Sequence, residues 1–230
     1  MTSVLSRAAL AAAATLAASA AVVAAPAHAD SVVQDCGGGP VTIASTIDDV
    51  TLTGVCTDVR IDASNISVVL PATTSLTLTG ANLEVTASGP VGTVSQAGAN
   101  NTLSAPSAGD VEISGGNNEA TFAGAVGRAS LVGGNNTLRV ESASRLRVKG
   151  GNQTVRAAAL GSTTIKGSNA SLTSDEAPKV VVRGANNAVK VTRLPVLRIV
   201  GSNNSAVVKK GRTKVSVRGA NNVVRVAKRA

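Results

Sequence analysis

The amino-acid sequence predicts an all-β fold: a parallel β-helix, or solenoid, of about ten coils with 17 or 18 residues per coil, with a right hand preferred. Three observations predict it. A short signature of glycine and asparagine recurs at an almost constant step, apolar and polar residues alternate on both sides of it, and aromatic residues are nearly absent. A step this regular means that one structural unit is stacked on copies of itself.

The signature is a glycine, one small residue and then a pair of asparagines, as in Gly98 to Asn101. Its first asparagine serves as a marker at Asn65, Asn82, Asn100, Asn117, Asn135, Asn152, Asn169, Asn186, Asn203 and Asn221. Glycine and asparagine both tolerate the left-handed backbone that a corner between two strands requires. Asparagines of adjacent coils can also bond along the stack as a ladder. The pattern leaves open which asparagine of each pair points inward.

Strands are predicted on both sides of this corner, because apolar residues recur six and four positions before the marker and three positions after it. Alternation with a period of two places these residues on one face of a strand. Tryptophan and tyrosine are absent and Phe122 is the single phenylalanine. A coil whose interior is one or two side chains wide has little room for aromatic rings.

The first 29 residues are predicted to be a signal peptide. A short positive start, Met1–Arg7, precedes the alanine-rich stretch Ala8–Ala25 and a small-Xaa-small site that ends at Ala29. We expect Sec-type cleavage near Ala29, because alanine is too weakly hydrophobic to favour the alternative of a retained anchor. The protein is then secreted or associated with the cell envelope, with no transmembrane segment left.

The rest of the chain is expected to form one domain, residues 30–230. Residues 30–64 are assigned to an N-terminal cap and the first coils, and residues 65–230 to the coils that carry the signature. Cys36 and Cys56 are the only cysteines, and in an oxidising compartment they predict a disulfide that closes the N-terminal end. Two thiolates without a histidine make a poor zinc site. We therefore expect no metal and no cofactor.

A cysteine pair at Cys36 and Cys56 followed by repeated Val-Xaa-Gly-Xaa-Asn-Asn-Xaa-Val units resembles an actinobacterial secreted family catalogued as a domain of unknown function (number 3060). The resemblance runs from about Cys36 to the C-terminus. The resemblance implies a β-solenoid located outside the cytoplasm. It implies no activity and no functional residues.

Charge is distributed unevenly along the chain. Residues 30–120 contain ten acidic residues and one basic residue, whereas residues 121–230 contain three acidic and twenty basic residues. The formal charge therefore changes from −9 in the first part to +17 in the second. Because sequence order is spatial order in a stack, we expect a rod that is acidic at one end and basic at the other.

The basic residues also recur at fixed positions relative to the marker. Three positions before it lies the first cation column, Lys149, Lys166, Arg183 and Arg218. Four positions after it lies the second cation column, Arg139, Arg156, Lys190 and Arg225. One interpretation is that these cations only protect strand-rich surface from aggregation. The alternative, which we favour, is a non-catalytic surface that binds anionic cell-wall polymers or headgroups. Sequence-specific reading of nucleic acid is not expected without stacking aromatics.

Other functions have weaker support in the sequence. An adhesin or filament could join acidic and basic ends head to tail, which predicts self-association. A polysaccharide-active enzyme needs clustered carboxylates, and we expect no enzyme. The carboxylate candidates are Asp58, Asp62, Asp110, Glu112 and Glu119. Ice binding would need a long threonine ladder, of which Thr51–Thr53 and Thr77–Thr79 are expected to stack as two rungs.

Overall fold

The computed structural model describes residues 31–44 and 48–229, which form a β-solenoid of about twelve turns. All strand pairs are parallel and belong to one sheet that winds around the stack. The all-β prediction is confirmed. The predicted signal peptide, residues 1–29, lies outside the described residues. Within those residues, no helix is long and apolar enough to cross a membrane.

In chain order the strands are β1 (Ser31–Asp35), β2 (Val41–Ile43), β3 (Asp49–Thr53), β4 (Cys56–Ile61), β5 (Ser67–Leu70), β6 (Thr73–Leu78), β7 (Glu84–Ala87), β8 (Val91–Gln96), β9 (Thr102–Ala105), β10 (Ala108–Ile113), β11 (Glu119–Gly134), β12 (Thr137–Gly151), β13 (Thr154–Ser168), β14 (Ser171–Glu176), β15 (Lys179–Arg183), β16 (Ala188–Arg193), β17 (Val196–Val200), β18 (Ser205–Arg218) and β19 (Val223–Arg229).

The strands form two ladders on either side of the glycine–asparagine corner. The first ladder leads into the corner and comprises β2, β4, β6, β8, β10, the later parts of β11, β12 and β13, then β15, β17 and the later part of β18. The second ladder follows the corner and comprises β1, β3, β5, β7, β9, the early parts of β11, β12 and β13, then β14, β16, the early part of β18 and β19.

The core lies between the two ladders and is built from the positions that the alternation predicts. Leu146, Leu131 and Leu138, which lie six before, four before and three after their markers, are buried. Phe122 is buried as well and fills the interior of one turn. Gln96 is a polar exception at a core position, and its Nε2 donates to the carbonyl oxygen of Asn101 at 2.8 Å. The predicted inward positions are confirmed through the stack except in its last turn, where Val217 is exposed.

The corner has the backbone that glycine and asparagine favour. All ten marker asparagines adopt the left-handed conformation, with φ between 55° and 59°. Their side chains are exposed, and those from Asn65 to Asn135 bond along the outside. Asn117 Nδ2 donates to Asn100 Oδ1 at 3.1 Å and Asn135 Nδ2 donates to Asn117 Oδ1 at 3.0 Å. The predicted asparagine ladder therefore exists, and it runs along the outer surface.

A second ladder of side chains lies inside the corner, because the residue after each marker points inward. Asn118 is 1 % exposed. Its Oδ1 accepts the backbone N–H of Asn101 at 3.0 Å, and its Nδ2 donates to the carbonyl oxygens of Gly98 at 3.1 Å and Ser114 at 2.6 Å. Buried backbone groups at the corner are thus bonded by side chains.

This inner ladder is interrupted in the middle of the stack. The equivalent positions are Gln153 and Ala170, so neither supplies the acceptor that Asn118 supplies to the turn before it. Gln153 Oε1 is buried without a hydrogen-bond partner in the described part of the chain. Further along, Asn187 Oδ1 accepts the backbone N–H of Ala170 at 2.9 Å, and the ladder resumes.

The N-terminal end confirms one prediction and corrects two. Cys36 and Cys56 form the predicted disulfide, with Cα atoms 5.1 Å apart. The prediction of about ten coils is too low, since β1, β2 and β3 add turns before the first marker. The prediction that Thr51–Thr53 stacks on Thr77–Thr79 is wrong. Thr51 pairs with Val69 on the second ladder, whereas Thr77 pairs with Arg60 on the first.

Candidate functional site

The formal charge changes sign along the axis of the solenoid. Turns follow one another in sequence order from β1 to β19, so the acidic and basic parts of the chain occupy opposite ends of the stack. Neighbouring turns are about 4.8 Å apart. The basic residues of successive turns therefore lie close enough to act together on one extended partner.

The first cation column lies on the outer face of the first ladder. Lys149 pairs with Lys166, and Lys166 pairs with Arg183, so three cations are stacked on consecutive turns. Val200 interrupts the column before Arg218. All four cationic side chains are exposed. Like charges about 5 Å apart repel by about 1 kcal/mol in water, and a bound anion would relieve that repulsion.

The second cation column lies on the outer face of the second ladder and is less continuous. Arg139 and Arg156 are register partners, but a turn without a cation separates Arg156 from Lys190, and another separates Lys190 from Arg225. Arg139 is also paired with Glu119, with Nε 2.9 Å from Oε1. Arg139, Arg156 and Lys190 line an open depression of about 690 Å³.

The corner separates the two columns, so the structure does not join the eight predicted residues into one patch. Each ladder has its own line of cations, and a partner in contact with both would have to wrap around the corner. The first column has the denser charge. It is therefore the stronger candidate for contact with a linear anion.

Further cations lie on the first ladder outside both columns. Arg145 and Arg147 lie on the same outer face of β12 as Lys149, and all three are exposed. Arg128 is the register partner of Arg145 on the preceding turn. The sequence contains a signal for Arg145 and Arg147, because every second residue from Arg145 to Lys149 is basic and alternation places these residues on one outer face. This segment is the most cationic strand of the first ladder.

The carboxylates near the N-terminal end are engaged in local contacts. Asp58 Oδ1 accepts a hydrogen bond from Ser75 Oγ at 2.5 Å. Asp62 accepts from Thr79 Oγ1, and Arg60 Nε lies 2.7 Å from Asp62 Oδ2. The Thr79 hydroxyl, and then the Arg60 guanidinium, hold the pKa of the Asp62 carboxyl below its ordinary value. These partners stabilise the charged form of a surface group.

The remaining carboxylate candidates divide between the two ladders. Asp110 and Glu112 lie on the outer face of β10, and Asp110 Oδ2 is 3.6 Å from a guanidinium nitrogen of Arg128. Glu119 lies on the second ladder in its ion pair with Arg139. The structure therefore brings Asp110 and Glu112 to one face and leaves Glu119 apart. Across residues 31–44 and 48–229, no group of three or more metal-ligating side chains is gathered.

These features define the class of the protein as a β-solenoid with a cationic outer surface on its C-terminal turns. Comparison with known families supports part of the expected resemblance. Residues 113–161, which include the markers Asn117, Asn135 and Asn152, match the model of a family described as "Protein of unknown function (DUF3060)". Comparison with curated proteins gives no match, and comparison with solved structures gives none either.

Proposed function

We propose that this protein is a secreted, non-catalytic β-solenoid whose basic C-terminal half binds anionic polymers of the cell envelope or the extracellular space. The observation that carries the proposal is the stacking of Lys149, Lys166 and Arg183 on three consecutive turns. A linear polyanion that lies along the solenoid axis meets one cation about every 4.8 Å. Counterion release from such a polymer favours binding without any specific sequence.

The disulfide supports the proposed location outside the cytoplasm. Cys36 and Cys56 are bonded to each other, and disulfides of this kind persist in oxidising compartments. The polymers available there include teichoic-type wall polymers, phosphorylated glycans and anionic lipid headgroups. All of them present phosphate or carboxylate groups to lysine and arginine side chains.

The proposal is tested by incubating the purified, disulfide-bonded protein with envelope fractions and with inorganic polyphosphate. The test variant reverses the first cation column, Lys149→Glu, Lys166→Glu and Arg183→Glu. We expect it to lose at least about tenfold in affinity, because each lost contact between a cation and a phosphate weakens binding. Unfolding by urea checks that the variant folds.

The matched control is Lys209→Glu, Lys210→Glu and Arg212→Glu, which changes the net charge by the same amount at exposed positions outside both columns. The proposal expects the control to retain more affinity than the column variant. Equal losses would mean that net charge alone attracts the polymer. Undetectable binding of the unmodified protein to every polyanion would refute the proposed function.

Head-to-tail self-association is a second candidate, favoured by the change of formal charge from −9 to +17 along the stack. The acidic turns of one copy and the basic turns of another attract each other at low ionic strength. Analytical ultracentrifugation tests it. We expect larger species at low salt that dissociate at moderate salt, and a monomer at both salt concentrations would exclude this candidate.

A further inference from the structure

A groove of about 600 Å³ lies on the outer face of the first ladder, where the acidic turns meet the basic ones. Its polar walls include Thr93, Ser95, Asp110, Glu112, Arg145 and Arg147. It crosses five turns, a span of about 19 Å. Neither cation column lines the groove, but Arg147 lies beside Lys149 on the outer face of β12, so the groove adjoins the first cation column.

The groove lies where the alternation of the first ladder is broken on successive turns. Gly109 and Asp110 are both exposed between the buried residues Ala108 and Val111, and the preceding turn has the same pattern from Val91 to Val94. A Cβ added to Gly109 would lie 2.4 Å from the carbonyl oxygen of Gly92 on the preceding turn. Glycine permits this close backbone approach. Thr93 and Asp110 stand on one side of the groove, and Ser95 and Glu112 stand on the other.

The two ends of the groove carry opposite charge. Asp110 and Glu112 occupy one turn, and Arg145 and Arg147 occupy the same two columns two turns further along. The acidic and basic groups are therefore about 10 Å apart along the axis. Arg128 lies between them and is paired with Asp110 at 3.6 Å. Within residues 48–229, Arg145 and Arg147 form no ion pair, so their guanidinium groups are open to a ligand.

This arrangement does not suit a uniformly charged polymer. Anionic groups placed beside Asp110 and Glu112 would be repelled, whereas an anionic group beside Arg145 and Arg147 would be held by two guanidiniums. Carboxylates accept hydrogen bonds from sugar hydroxyls, and the hydroxyls of Thr93 and Ser95 can both donate and accept. The groove thus favours a ligand with an anionic group at one end and neutral hydroxyl groups at the other.

We propose that the groove binds a segment of an acidic oligosaccharide. Its carboxylate, phosphate or sulfate lies between Arg145 and Arg147, and the hydroxyls of the adjoining sugar donate to Asp110 and Glu112. The inference rests on the proposed function, since it names the class of anionic polymer that this surface selects. Phe122, the only aromatic residue, is buried, so charge and hydrogen bonds carry the affinity without ring stacking.

Isothermal titration with two probes tests the groove: an acidic disaccharide, made of one galacturonate and one neutral sugar, and inorganic polyphosphate. The Glu112→Gln variant is expected to bind the acidic disaccharide about fivefold more weakly, because an amide is a poorer acceptor than a carboxylate. The same variant should bind polyphosphate equally well or more tightly, because a repelling charge is removed. Arg147→Gln is expected to weaken binding of the acidic disaccharide at least about fivefold, because one of the two guanidiniums that hold its carboxylate is lost.

Lys179→Gln is the control, since Lys179 is exposed on the first ladder and lies outside the groove. It should leave binding of the acidic disaccharide unchanged. Loss of affinity for both probes to the same extent in Glu112→Gln, or for neither, would overturn the groove proposal. If polyphosphate binds and the acidic disaccharide does not, the groove proposal fails while the proposed function stands. If neither probe nor any envelope fraction binds, both proposals fail.

Discussion

The side chain of Asn118 accepts the backbone N–H of Asn101 from the preceding turn at 3.0 Å, and this bond joins two turns inside the corner. The same geometry recurs where Asn136 Oδ1 accepts the N–H of Asn118 at 3.0 Å. Where the second residue of the signature is asparagine, it therefore stabilises the stack. The first asparagine shapes the corner through its left-handed backbone.

Replacement of the inner asparagine is expected to be costly. Asn118→Ala removes three hydrogen bonds, of which one is buried and two are partly buried, and leaves the N–H of Asn101 without its acceptor. We expect a loss of about 3 kcal/mol in the free energy of unfolding, measured by urea denaturation. The control is Asn117→Gly, which keeps the left-handed backbone and removes only exposed bonds, and it should lose less than about 1 kcal/mol. Equal losses would contradict the assignment of the inner ladder.

Completion of the interrupted ladder is expected to stabilise the protein. Gln153 Oε1 is buried and has no hydrogen-bond partner among residues 48–229. An asparagine at this position would place its oxygen where Asn118 places its own. We expect Gln153→Asn to raise the free energy of unfolding by about 1 kcal/mol. Gln153→Ala, which offers no acceptor, should lower it. If the Gln153→Asn variant is as unstable as Gln153→Ala, the missing acceptor at this position does not lower the stability of the protein, and the prediction is wrong.

The glycine column at the corner gives a third prediction. Gly133 has a φ of 103°, and an added Cβ would lie 2.1 Å from the carbonyl oxygen of Gly115. We expect Gly133→Ala to lower the free energy of unfolding by about 2 kcal/mol or more, because the backbone strain at positive φ and the close contact of the added Cβ both destabilise the folded state. A Cβ on Gly134 meets nothing within 4 Å, so Gly134→Ala should stay within about 0.5 kcal/mol. Thermal unfolding compares the pair, and similar melting temperatures would refute this prediction.

The contact between Asp62 and Thr79 predicts a local pH dependence. The lowered pKa of Asp62 means that its charged form stabilises the folded state above the unfolded-state pKa of about 3.9 and ceases to do so as the pH falls through the lower folded-state pKa. NMR titration of the carboxyl carbon should give a midpoint that rises in Thr79→Val. Thr86→Val, on the second ladder, should leave it unchanged. An unaltered midpoint in Thr79→Val would exclude this bond as the cause.

The repeat predicted most of the fold because its step determines which residues share a column. The marker correctly aligned Lys149 with Lys166 and placed Leu131 in the core. It could not decide which asparagine points inward, since both residues have the same side chain and only the backbone at the corner distinguishes them. The threonine prediction is wrong because Thr51 precedes the first marker, Asn65, so the repeat does not define its column. Thr51 lies on the second ladder and Thr77 on the first.

The candidate surface was only partly predictable. The exposure of Lys149 and Arg183 follows from alternation, and the sequence was sufficient to predict it. The groove lies beside Gly109 and Asp110, two consecutive exposed residues where the alternation breaks, and a pattern based on strict alternation cannot place it. The ion pair between Arg139 and Glu119 joins diagonal positions on neighbouring turns, so counting along single columns missed it.

The salt dependence of polyphosphate affinity tests the central claim most directly. For the unmodified protein, the logarithm of the association constant should fall linearly with the logarithm of salt concentration. Reversal of Lys149, Lys166 and Arg183 together should reduce that slope by about three, one for each lost phosphate contact. The charge-matched reversal of Lys209, Lys210 and Arg212 should leave a steeper slope. An affinity independent of salt, or the same slope in both variants, would contradict binding through the first cation column.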